Sequence, residues 1–86
     1  RMHCEYTPEG VCPSKLEFDL DGDVVTNIKF TDGCDGNLKA LSAVVNGMTV
    51  SQIEQYFSNI TCGSNTTSCS MQLAHAVREK YNELNA

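Results

Sequence analysis

The residues in this chain best equipped for chemistry are its five cysteines, Cys4, Cys12, Cys34, Cys62 and Cys69. None forms a Cys-x-x-Cys pair. All but Cys4 stand beside glycine, proline or serine, residues that mark turns and helix starts. Four thiols placed where loops meet suggest one shared site: a metal centre, a disulfide pair or a redox dithiol. The spacings match no short zinc-ribbon pattern. Cys4 lies in an apolar-alternating stretch and reads as a small packed or free thiol. The two histidines, His3 and His75, read as solvated rather than as ligands. Asp32 and Asp35 flank Cys34, where they serve to solvate a turn. A Cys69–His75 nucleophilic pair is excluded, because six residues apart on one helix the two side chains diverge. No nucleophile elbow, phosphate-cradling glycine loop or paired-carboxylate setting is present, so the chain reads as non-catalytic on its own.

Composition narrows the function classes. A net charge of −5 disfavours binding to a phosphate backbone. No apolar run approaches the ~18 residues of a membrane span, so no membrane role is expected. No signal peptide is visible. The odd cysteine count argues against a secreted disulfide framework, although Asn59-Ile60-Thr61 and Asn65-Thr66-Thr67 are glycosylation triplets. A reducing cytoplasm is the expected location. Oligomeric state is left open by the sequence.

The elements that must position these cysteines divide into two halves. His3 to Thr7 is a short strand ended by Pro8 and Gly10. Leu16, Phe18 and Leu20 alternate with acids as in a half-buried strand, and Asp21-Gly22-Asp23 turns the chain into Val24, Thr26, Ile28 and Phe30. Beyond Gly36, Leu38, Leu41, Val44 and Val45 recur at helical spacing, with Gly47 as a C-terminal cap. Thr49 or Ser51 caps a second helix carrying Ile53 and Phe57. Ser68 caps a third, whose stripe is Leu73, Val77, Tyr81 and Leu84. The expected fold is α+β: an antiparallel sheet of about three strands, then about three helices packed on one face.

On this map Cys12 precedes the hairpin, Cys34 joins hairpin to first helix, Cys62 follows the second helical segment and Cys69 opens the last helix. Four thiolates in tetrahedral array are the ordinary demand of structural zinc. The partial positive charge of a helix N-terminus predicts the lowest thiol pKa of the set at Cys69.

Gly10-Val11-Cys12, Gly33-Cys34-Asp35-Gly36-Asn37-Leu38, Gly47-Met48, Cys62-Gly63 and Thr67-Ser68-Cys69 with Gln72-Leu73-Ala74 together resemble the small TSCPD-domain proteins. The resemblance covers nearly the whole chain, residues 1–86, as one domain. That family occurs as short proteins and as a C-terminal module of cobalamin-dependent ribonucleotide reductases, and its cysteines are thought to bind metal. The resemblance implies Cys12, Cys34, Cys62 and Cys69 as metal ligands, zinc as the metal and a ribonucleotide reductase as partner. Here the signature Thr-Ser-Cys-Pro-Asp reads Thr67-Ser68-Cys69-Ser70-Met71, which spares a thiol-only site and removes a carboxylate ligand. A fainter similarity, through Cys12, Gly33-Cys34 and Cys69-Ser70-Met71, is to U-type iron–sulfur cluster scaffolds. It implies a labile iron–sulfur site as the alternative.

Overall fold

The computed structural model describes residues 1–86. Three strands, β1 (Met2–Tyr6), β2 (Lys15–Asp21) and β3 (Val24–Thr31), form an antiparallel sheet in the order β1-β2-β3. Three helices follow, α1 (Asp35–Val45), α2 (Val50–Phe57) and α3 (Cys69–Leu84). The arrangement is α+β, as the patterning predicts.

Alternation along β2 makes the sheet one-sided. Leu16, Phe18 and Leu20 are essentially inaccessible, and Cys4 on β1 stands opposite Phe18 on the same face. Val45, Val50, Ile53, Leu73, Ala76 and Val77 from the helices close the core over them. Burying each large aliphatic or aromatic side chain contributes about 1.5–3 kcal/mol. Cys4 is therefore a packing residue. The opposite face is polar. His3 pairs across to Asp19 and Glu5 to Glu17, while Lys15 bridges Glu5 and Glu17.

β3 departs from the expected alternation. Val25, not Val24, is fully buried, while Ile28 and Phe30 are half-buried against the core. The ladder slips between Glu17, which faces Lys29, and Asp19, which faces Thr26, so Phe18 opposes two residues. This is a β-bulge, and the extra residue inverts the phase of the strand. Asn27 takes the left-handed conformation there (φ 54°). Its amide group donates to Asp19 Oδ2 at 2.8 Å, and its backbone N–H donates to Asn46 Oδ1 at 3.0 Å.

The helix ends follow local chemistry. Asn46 and Gly47 terminate α1, and Gly47 adopts φ 90°. Its N–H donates to the carbonyl of Val25, and the Val25 N–H donates to that of Met48, which stitches the α1–α2 connection onto β3. Thr49 caps α2 in a reciprocal box with Gln52. Ser68 caps α3 by accepting from the Met71 N–H. Two apolar expectations fail. Val44 is 66% exposed because its neighbour Val45 takes the core-facing position, and Leu84, the last residue of α3, is 47% exposed. No helix is long and apolar enough to cross a membrane.

Candidate metal centre

Three loops and one helix start contribute to a single cleft. Cys12 lies in the β1–β2 loop, and Cys34 is the residue before α1. Cys62 lies between α2 and α3, and Cys69 is the first residue of α3. All four line a single cleft of about 560 Å³. All five cysteines are free thiols, and Cys4 alone is away from the cleft, in the core.

The loops are held together by specific contacts. The Ser14 hydroxyl donates to Asp32 Oδ2 at 2.7 Å, and the Ser14 N–H donates to the Thr31 carbonyl at 2.9 Å. These bonds tie the chain after Cys12 to the chain before Cys34. Gly33 packs between them. A Cβ at this position would lie 2.9 Å from Leu38 Cδ1 and 3.0 Å from Pro13 Cγ, and its φ of 94° is one L side chains rarely adopt. Only glycine lets the two cysteine loops approach this closely. In the third loop the Cys62 N–H donates to the Thr67 carbonyl at 3.0 Å, and its own carbonyl accepts from the Asn65 N–H at 3.0 Å. The Ser68 hydroxyl donates to the Ile60 carbonyl and closes the base of that loop.

Cys34 caps α1 with its backbone alone. Its carbonyl accepts the first helical bond, from Leu38 at 2.9 Å, while its thiol makes no capping bond. The sulfur is therefore free for other work. Asp35 is engaged with Lys39 at 2.9 Å and Asp32 with Ser14, so neither acid lines the cleft.

Charge is absent from the cleft lining. Its walls are apolar at Val11, Leu38, Leu41, Phe57 and Ile60 and otherwise neutral, with no Asp, Glu, Lys, Arg or His. Cys12, Cys34 and Cys62 are exposed and Cys69 is half-buried. Burial pushes the Cys69 thiol pKa above its ordinary value, and negative charge on Cys12, Cys34 and Cys62 pushes it further. The direction is opposite to the expected depression at a helix start: desolvation and three like-charged neighbours outweigh the lowering effect of a backbone hydrogen bond. A cation at the centre would invert the balance.

The thiols nonetheless stand apart. No three of them lie within 4.8 Å of one another, as three of the four would in a closed tetrahedral site, where zinc–sulfur bonds of ~2.3 Å set sulfurs about 3.8 Å apart. The donor chemistry suits a soft or borderline cation, and the spacing is wider than a closed zinc site holds. Elsewhere, His3, Glu5 and Glu17 bring ligand atoms within 4.8 Å on the polar sheet face. There His3 is not simply solvated. Its Nδ1 donates to Asp19 at 2.8 Å and its Nε2 to Glu17 at 3.2 Å, which raises its pKa. His75 is exposed on α3, as its helical phase predicts.

The model of the TSCPD domain matches residues 2–81. The chain belongs to the TSCPD-domain family. Among curated proteins and solved structures nothing matches it. In this TSCPD domain the position of the signature aspartate is Met71, whose Sδ accepts a hydrogen bond from the Thr67 hydroxyl at 3.3 Å. Signature proline is replaced by Ser70, whose hydroxyl lies 3.0 Å from that of Ser68. The helix start thus keeps its cap and carries no carboxylate toward Cys69.

Proposed function

We propose that this TSCPD domain is a non-catalytic metal-binding module that holds one zinc ion through the thiolates of Cys12, Cys34, Cys62 and Cys69. One observation carries the reading: four cysteines from four separate positions in the chain line one uncharged cleft, while the fifth is spent on the core. When bound, zinc supplies fixed positive charge that favours all four thiolates and ties the loops to α3. On this reading Cys69, at the start of α3, is the anchoring ligand, and Cys12, Cys34 and Cys62 reach the ion from the loops. A reducing cytoplasm keeps such thiols available. On this reading the domain acts through association, and a ribonucleotide reductase is the partner to test by co-purification. Metal analysis of the reduced protein tests the reading: one zinc per chain supports it, and a folded protein that takes up none overturns it.

The spacing of the thiols favours a second reading, an iron–sulfur site, because a cluster holds its cysteines farther apart than a single ion does. Anaerobic reconstitution with iron and sulfide distinguishes the two. A coloured, oxygen-sensitive species supports the cluster, and a colourless protein that still takes zinc supports the first reading.

A further inference from the structure

We propose that Gln72 is the positioning residue that sets the distance between Cys12 and the Cys62–Cys69 segment. Gln72 lies in the first turn of α3, one turn past Cys69, and is only 7% exposed. Its amide oxygen accepts the backbone N–H of Glu9 at 3.1 Å, three residues before Cys12. Its amide nitrogen donates to the Thr67 hydroxyl at 3.0 Å, two residues before Cys69. The Thr67 carbonyl accepts the Cys62 N–H in turn. One buried amide therefore joins the segments bearing Cys12, Cys62 and Cys69.

The close approach at this junction has a second sign. A Cβ added to Gly10, which has φ 70°, would meet Thr67 Cγ2 at 3.2 Å. The β1–β2 loop thus lies directly on the chain leading into α3, with Gln72 beneath the contact. A shorter or apolar side chain at 72 leaves the Glu9 N–H and one Thr67 bond unsatisfied, and the Cys12 loop loses its tether. Outer contacts of this kind orient metal ligands, and their loss typically weakens metal binding by about ten- to a hundred-fold.

The purpose of this residue rests on the metal reading above; its geometric role does not, and the experiment separates them. Reduced protein is treated with a short bifunctional thiol reagent, and Cys12–Cys69 cross-links are mapped by peptide mass spectrometry. Cobalt(II) affinity is read in parallel from the thiolate-to-cobalt charge-transfer band. In Gln72→Leu the cross-link falls and cobalt binds about ten-fold or more weakly. Gln72→Glu restores most of both, because a carboxylate accepts from Glu9 N–H and from the Thr67 hydroxyl. Thr49→Ala, which removes the α2 cap far from the cleft, changes neither. Should Gln72→Leu fail to fold, Thr67→Val removes one of the two partners and is read in the same way. Wild-type cross-linking in Gln72→Leu, or an equal loss in Thr49→Ala, overturns the proposal. Wild-type protein that takes no cobalt while Gln72→Leu still loses the cross-link overturns the metal reading and upholds the positioning role.

Discussion

Metal removal should move the unfolding transition by an amount the chain's size predicts. The proposed ligands span positions 12 to 69, so an ion bound by them would tie the sheet loops to α3 and have no equivalent site in the unfolded chain. An ion at one hundred times its Kd stabilises the folded state by about 2.7 kcal/mol. At roughly 2.1 cal/mol/K of unfolding entropy per residue, the 86 residues give about 0.18 kcal/mol/K and a Tm increase of ~15 °C. The assay is thermal unfolding by circular dichroism, under reducing conditions, after chelator treatment and after zinc addition. Cys12→Ser is the companion variant: Cys12 is exposed, so its loss leaves the metal-free Tm near wild type and removes most of the increase. A zinc-induced change below ~2 °C in wild type, or an undiminished one in Cys12→Ser, refutes the reasoning.

Other consequences are as specific. His3 has a raised pKa, so its bonds to Asp19 and Glu17 stabilise fully below the unfolded value near 6.5 and fade as pH rises through the folded value. The difference in urea midpoint between wild type and His3→Gln is therefore larger at pH 6 than at pH 9; equal differences contradict the assignment. Gly33→Ala combines an unfavourable φ with contacts under or at 3.0 Å to Leu38 and Pro13, and costs about 1–3 kcal/mol in urea unfolding. A neutral effect would mean the two cysteine loops are not in contact there. Cys4→Ala keeps full metal content, since Cys4 sits in the core opposite Phe18, and loss of metal from that variant would place a ligand where the fold does not.

Much of the fold is legible in the sequence because its signals are local. The Asp21-Gly22-Asp23 turn, the Thr49 and Ser68 caps and the Gly47 terminus each depend on one or two residues, and each is where those residues place it. The four cysteines other than Cys4 do line one cleft, but no three of their sulfurs come within 4.8 Å of one another, a spacing that no local signal fixes. What fails depends on distant partners. The bulge at Asn27 rests on Asp19 and Asn46, and without it Val24 reads as the inward residue that Val25 turns out to be. Cys69 reads as a low-pKa thiol from its helix position, but burial in the folded cleft, and then three cysteines that arrive from other segments, push its pKa up instead. Gln72 stands out in the sequence only within the Gln72-Leu73-Ala74 run, and its proposed positioning role is not legible there, because its partners Glu9 and Thr67 lie in loops that meet only in the folded chain.

Native mass spectrometry of the reduced protein tests the central claim most directly. One zinc per chain is expected in wild type and in Cys4→Ala, with loss of that ion in each of Cys12→Ala, Cys34→Ala, Cys62→Ala and Cys69→Ala. A folded wild-type chain at its metal-free mass in the presence of zinc, or retention of the ion in all four variants, would contradict it.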